Sequence, residues 1–225
     1  RAVQSANDRI YKARSSRQND MGTTLVAVLI LGGKAYITNV GDSRLYILNK
    51  TQEGSEAGTL DATRPLMVGT KPLNASQYLR AQGAGGAAVL DAMNAVDRTS
   101  GYELDQISVD HSLVHRLVEL GQLDPEEAKV HPHRNFIYRS LGGPPPIEVD
   151  TFVSTLYPGD RILLCSDGLN SMVEDEDISM VLKSVTNPAE VCQRLIDLAN
   201  EAGGHDNITT VVIDVQDYLP YTEPI

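Results

Sequence analysis

Three strand-like segments, separated by very short glycine turns, follow one another near the start of the chain. Residues 23–31 (TTLVAVLIL) are continuously apolar and rich in β-branched side chains, which predicts a strand buried on both faces. Gly32-Gly33 predicts a hairpin turn into residues 35–40, and Gly41-Asp42 separates these from the alternating residues 43–48. Parallel strands need a long crossover, so turns this short predict an antiparallel meander.

Helical and further strand patterns surround this meander. Residues 1–18 are typical of an amphipathic helix. Asp110 is the predicted N-cap of a helix whose Leu and Val stripe over residues 113–120 we interpret as core packing. A short helix is predicted to start at residues 124–127, and later helices at 174–185 and 187–201. Later strands are predicted at 147–156, 161–165 and 207–215. About eight mainly antiparallel strands, with the helices grouped after them, indicate α+β layering.

Residues 51–106 break this regular pattern. They contain GSEAG, GTKP and AQGAGGAA, with short helical patterns only at residues 75–81 and 87–96. A long, weakly periodic segment inside a compact domain is typical of an insertion. We therefore predict one domain over residues 1–225, with an insertion at about 51–106.

Charge and cysteine content exclude several classes of protein. Thirty acidic against nineteen basic residues give a net charge of −11, which disfavours nucleic acid and anionic membranes as partners. No apolar run approaches the roughly 20 residues that span a bilayer. Two cysteines exclude a disulfide scaffold and a Cys-rich zinc site, and indicate a reducing, cytoplasmic location.

Three aspartates share one local design, at a strand end and near glycine. Asp42 follows one predicted strand, Asp167 follows another and precedes Gly168, and Asp206 precedes the last strand. If one sheet edge gathers them, a cation must compensate their charge, and oxygen ligands favour Mg²⁺ or Mn²⁺. Asp next to Gly is also a frequent turn former, so a purely structural role remains the alternative.

Five longer strings, in a fixed order, favour the metal-site interpretation. They are MGTT (21–24), NVGDSR (39–44), DHSL (110–113), LLCSDGL (163–169) and GGHDNIT (203–209). In this combination the chain resembles the metal-dependent protein phosphatases, the type 2C serine/threonine phosphatase family, in its bacterial form. Outside residues 51–106 the resemblance extends to about Val215.

The resemblance implies both a fold and a site. The fold is a layered α-β-β-α sandwich with two central antiparallel sheets, lacking its N-terminal part, and the metals lie in the cleft between the sheets. Asp167 and Asp206 match ligands of a core metal, and Asp42 with Asp167 matches a third, weaker site. Asn207 would lie next to the ligand Asp206 without binding the metal itself. Two core Mn²⁺ or Mg²⁺ ions would activate a water that attacks the phosphorus directly, and Cys165 has no C-x5-R loop that would make it a nucleophile.

Two further groups of residues are candidates beside this site. The family's mobile flap corresponds to residues 110–142, so Arg134 and Arg139 are candidate substrate contacts, with surface solvation as the alternative. The pairs His111/His115 and His131/His133 raise the possibility of zinc. Metal sites need three or four ligands, so we favour capping or solvent-facing roles for these histidines.

One departure from the family pattern limits the expected activity. The family's Asp-Gly-x-Gly-Gly string, whose Asp bridges the two core metals, and its phosphate-binding Arg have no match here. We therefore expect this chain alone to have little activity. The implied substrates are phosphorylated proteins, as targets of a bacterial serine/threonine kinase or as a transcriptional regulator of the sporulation type. The alternative is a non-catalytic pseudophosphatase that binds a partner.

Overall fold

The strands pair into two antiparallel sheets. A computed structural model describes residues 1–50 and 101–216. Within them the strands are β1 Leu25–Leu31, β2 Lys34–Val40, β3 Arg44–Lys50, β4 Tyr102–Gln106, β5 Asp150–Thr155, β6 Arg161–Cys165 and β7 Thr210–Asp214. The first sheet has the order β1-β2-β5 and the second the order β4-β3-β6-β7.

Six helices accompany these strands in the same residues. They are α1 Ala2–Arg17, α2 Leu113–Glu119, α3 Pro125–Val130, α4 Asp167–Asn170, α5 Asp175–Ser184 and α6 Pro188–Glu201. Asp124 caps α3 with a full capping box, and the Asn187 side chain accepts from the backbone N–H groups of Ala189 and Glu190 at the start of α6. None of these helices combines the length and the apolar character that a bilayer crossing requires.

Three hydrophobic clusters confirm the predicted α-β-β-α layering. Ile37 of β2, Ile47 of β3 and Phe152 of β5 pack between the sheets. The opposite face of β3, with Tyr46 and Leu48, packs against α4, α5 and α6. On the outside of the first sheet, α1 packs Val3 and Ile10 against a third cluster around Leu141.

The predicted meander of three strands is wrong at its second turn. The hairpin β1–β2 forms through Gly32 and Gly33, both with positive φ, but β2 then pairs with β5, and β3 pairs with β4 and β6. At Gly41 (φ 114°) the chain turns from one sheet to the other, and a Cβ there would lie 2.4 Å from Thr24 Cγ2. Only glycine allows this turn.

Strand β1 is not buried on both faces, contrary to the prediction. It lies at the edge of the three-stranded sheet, and Leu29 and Leu31 are 62% and 52% exposed. Helix α1 packs against Leu25 at one end of the outer face and leaves Leu29 uncovered. An apolar run predicts a strand, whereas its burial depends on which elements cover it.

Two predictions about α2 are also wrong. Its N-cap is Ser112, whose hydroxyl accepts from the His115 N–H, and not Asp110. None of the residues of α2 is buried, so its Leu and Val stripe does not pack in the core, and Leu120 is exposed. The helix begins at Leu113, directly after Ser112, and Asp110 instead pairs with Arg44.

Most of the predicted insertion lies outside the described residues, including the short helices expected at 75–81 and 87–96. Its last residues form β4, which pairs with β3 from Lys50↔Tyr102 to Tyr46↔Gln106.

Candidate metal and substrate site

The strand register brings the three predicted aspartates to one edge of the second sheet. Arg44 at the start of β3 lies opposite Cys165 at the end of β6, and Cys165 lies opposite Thr210 at the start of β7. Asp42, Asp167 and Asp206 occur just before β3, just after β6 and just before β7, respectively. Antiparallel pairing therefore collects them, as the sequence analysis expected.

Ser166 and Gly168 join the two loops that carry Asp167 and Asp206. The Ser166 N–H donates to the Thr209 carbonyl, and the Ser166 hydroxyl donates to the Asn207 carbonyl and accepts from the Thr209 N–H, each at 3.0 Å. A Cβ on Gly168 would lie 2.4 Å from the Asn207 oxygen. These contacts explain why the SDG string needs Ser and Gly on either side of its aspartate. Asn207 is positioned beside Asp206 through its backbone, since its N–H donates to Asp206 Oδ1 at 2.7 Å.

The carboxylates perturb one another electrostatically. Burial, and then the charges of Asp167 and Asp110, together raise the pKa of Asp42 from its usual 3.8 to about 6, against the lowering effect of Arg44. Burial, and then the charge of Asp206, also raise the pKa of Asp167. Such a group of acids favours a bound cation. In residues 1–50 and 101–216, however, no three His, Cys, Asp or Glu side chains converge closely enough to hold one ion.

Asp42 makes the stability of the metal-free protein depend on pH. Folded Asp42 keeps its proton up to about pH 6, whereas the unfolded chain releases it near 3.8, so the folded state binds more protons between these values. Stability should therefore fall as the pH rises from 4 to 6.5, by roughly 3 kcal/mol from this group. Urea unfolding in the presence of a chelator measures the change. Asp42→Asn should flatten the profile, and an equally steep profile in that variant would contradict this origin.

Arg44 and Asp110 form an ion pair beside Asp42 that the sequence analysis missed. Arg44 Nη2 lies 2.7 Å from Asp110 Oδ2, Arg44 Nε lies 3.0 Å from both carboxylate oxygens, and Asp110 also accepts from Gln106. Arg44 Nη1 donates to the Tyr46 hydroxyl, which donates to Asp175. One signal was available: Arg44 shares a strand face with Tyr46 and Leu48, and a buried arginine needs a carboxylate partner.

His111 is buried, which corrects the expectation of a capping or solvent-facing histidine. Its ring Nδ1 accepts from the Gly41 backbone N–H at 3.0 Å, and the backbone N–H of His111 donates to the Gly41 carbonyl. Its Nε2 lies 3.2 Å from Asp150 Oδ2 and 2.9 Å from Arg139 Nη1. His111 therefore holds the turn that carries Asp42. His115 instead lies near Glu119, and His131 Nδ1 accepts from the His133 N–H.

The two candidate substrate arginines have different surroundings. Arg134 is exposed and lines a cavity that also contains Asp42 and Asp167, and it has no ion pair among the described residues. Arg139 does not line this cavity. Its guanidinium lies 2.9 Å from Asp150 and 2.7 Å from Glu148, so its charge is used within the fold.

Comparison with known proteins shows to which family the chain is similar. A family model described as protein phosphatase 2C matches residues 1–99, a range that runs through most of the segment set apart above as an insertion. The serine/threonine phosphatase stp of Listeria monocytogenes is 32% identical over 216 residues, which cover 95% of this chain and 66% of that protein.

Solved structures agree with the sequence match. The serine/threonine phosphatase of S. agalactiae has a TM-score of 0.67 and 32% identity, covering 95% of this chain and 68% of that one. The catalytic domain of PstP, a serine threonine protein phosphatase solved in complex with two manganese ions, has a TM-score of 0.64 and 31% identity over 94% and 67% of the two chains. The chain thus spans about two thirds of the length of these relatives.

Proposed function

Because this chain belongs to the protein phosphatase 2C family, we propose that the whole protein is a metal-dependent serine/threonine phosphatase acting on phosphorylated proteins. The observation that supports this most directly is the register that gathers Asp42, Asp167 and Asp206 at one sheet edge. The raised pKa values of Asp42 and Asp167 add that these acids are close enough to repel one another.

The residues of this chain fit a hard divalent cation in chemistry. Asp167 with Asp206 would hold a core Mn²⁺ or Mg²⁺, and Asp42 with Asp167 a further ion, with Asn207 behind Asp206. Two such ions, when bound there, would supply Lewis-acid chemistry: they would lower the pKa of a water and offset negative charge on the phosphoryl group. The Ser166, Gly168 and His111 contacts described above fix the loops that present the carboxylates. Arg134, which lines the cavity and has no ion pair within residues 1–50 and 101–216, would bind the phosphate of the substrate.

The substrates would be phosphoserine and phosphothreonine proteins, including targets of a bacterial serine/threonine kinase. The name of the Listeria relative and the two manganese ions of the PstP structure support the reaction and the metal, respectively. The unpaired thiols of Cys165 and Cys192 support a reducing, cytoplasmic location.

Two observations favour a second candidate, a partner-binding pseudophosphatase. Among the described residues no set of three ligand side chains converges on one ion, and the chain lacks the Asp-Gly-x-Gly-Gly string. For the same reason we propose that residues 1–225 alone have little activity.

Hydrolysis of an aryl phosphate and of a phosphothreonine peptide by the whole protein tests the proposal. We expect release of phosphate with Mn²⁺, its loss with a chelator, and rates at least about 100-fold lower for residues 1–225 alone. No hydrolysis with either Mn²⁺ or Mg²⁺ would leave the pseudophosphatase as the better description. Hydrolysis that a chelator does not affect would refute the metal dependence.

A further inference from the structure

The cavity that contains Asp42 and Asp167 continues into an apolar chamber. The volume of the whole cavity is about 360 Å³, within the range of small ligand pockets. The acidic end holds Asp42, Asp110 and Asp167, and the other end is bounded by α2, α3 and the segment that follows α4. If a phosphorylated side chain binds at the acidic end, the residues next to it in the peptide would therefore lie beside the apolar chamber.

Apolar side chains from two sides of the cavity form the chamber. Val114 and Val118, one helical turn apart, line it from α2, and Pro125 and Ala128 line it from α3. Met172 and Val173 line it from the segment after α4, where Val173 belongs to the core cluster of the second sheet. The valines of α2 are not buried in the core, so their apolar surface is available to a ligand.

Charged residues at the chamber are already used within the fold. Lys129 of α3 lies 2.9 Å from Glu174 and 3.0 Å from Glu126, and Arg44 is paired with Asp110. The Lys129–Glu174 pair joins α3 to the start of α5 across the cavity, which holds the helical side of the chamber near Met172. Among the described residues that line the cavity, Arg134 therefore remains available to bind an anionic group.

We propose that this chamber is a specificity subsite for a large aliphatic side chain, such as Leu, Ile or Met, close in sequence to the phosphorylated residue. The aliphatic side chain would contact Val114, Val118, Ala128 and Met172. The phosphate of the neighbouring phosphorylated residue would lie near Arg134 and the carboxylates. Burial of an aliphatic group of the substrate in a preformed apolar pocket raises kcat/KM by about tenfold or more. The subsite depends on the phosphatase function proposed above, because it acts on the substrate of that same site.

A phosphothreonine peptide library with the whole protein and Mn²⁺ tests the subsite. Leu is placed in turn at each position from three before to three after the phosphothreonine, in a Gly- and Ser-rich background. We expect one position at which Leu raises kcat/KM by about tenfold over Gly. Asp at that position should be disfavoured, because carboxylates line the adjoining part of the cavity.

Two variants assign the preference to the chamber. Val118→Asp places a charge on its wall, and Ala128→Leu fills it with an uncharged, helix-favouring side chain. Both should reduce the ratio of Leu to Gly peptides to about one. The matched control is Val130→Asp, since Val130 lies on α3, is 77% exposed and does not line the cavity. It should keep the wild-type ratio, and circular dichroism checks that all three variants fold.

The outcomes separate the two proposals. Hydrolysis of all peptides at similar kcat/KM overturns the subsite and leaves the phosphatase function in place. A Leu preference that survives in both Val118→Asp and Ala128→Leu also overturns it. Absence of hydrolysis of any peptide, and of an aryl phosphate, overturns the phosphatase function and the subsite with it.

Discussion

Asp167→Asn in the whole protein is expected to lower Mn²⁺-dependent phosphatase activity by at least about 100-fold while the protein stays folded. Asp167 is the carboxylate that the two proposed sites share, and its charge interacts with those of Asp206 and Asp42. The amide keeps the shape of the side chain but removes the charge that attracts the cation. Steady-state hydrolysis of an aryl phosphate across a range of Mn²⁺ concentrations measures the loss.

The stability of the metal-free variant provides an independent readout. Burial and Asp206 raise the pKa of Asp167, so its ionised form is less favourable in the folded protein than in the unfolded chain. Asp167→Asn should therefore unfold at the same or a higher denaturant concentration at pH 7. Asp20→Asn is the control, because that side chain is 99% exposed and its loss should change neither activity nor stability. Normal activity of Asp167→Asn would remove this residue from the site.

Arg44→Met is expected to cost about 3–5 kcal/mol of stability at pH 7, the largest stability effect that we predict. The side chains of Arg44 and Asp110 are only 20% and 8% exposed, and Met leaves Asp110 without its cation beside Asp42 and Asp167. The Tyr46 hydroxyl also loses its Arg44 donor. Urea unfolding of the metal-free protein measures the difference.

A second substitution distinguishes an unpaired charge from lost packing. If the cost of Arg44→Met arises from the unpaired carboxylate, adding Asp110→Asn should recover a large part of it. No recovery in the double variant would attribute the loss to packing and contradict our interpretation. Arg116→Met is the matched control: Arg116 pairs with Glu119 on the surface, is 52% exposed, and should cost less than about 1 kcal/mol.

The candidate site could be predicted in part because its aspartates occur in short strings next to strand ends. Once strands are identified, antiparallel pairing brings such ends to one edge, and the register of β3, β6 and β7 does so. The partners of Asp110 and His111 were not accessible in this way. Asp110 looked like an N-cap from its neighbours alone, whereas its partner Arg44 lies 66 positions earlier.

The histidines illustrate the same limit. His111 forms hydrogen bonds with Gly41, in the turn between β2 and β3. It also lies near Asp150, the first residue of β5. Spacing between histidines therefore said nothing about its function, because its partners are distant in the chain and are set by how the two sheets meet.

The amino-acid sequence by itself determined the local elements: α1, the Gly32-Gly33 hairpin, the capped helices α3 and α6, and strand β6, each from propensities, caps and turns that involve neighbouring residues. Tertiary structure alone decided that β3 leaves the first sheet, that β1 is an exposed edge, and that the apolar face of α2 lines a cavity instead of the core. The physical reason is that periodicity reports which side of an element is apolar, whereas burial and pairing depend on which distant segments reach that side.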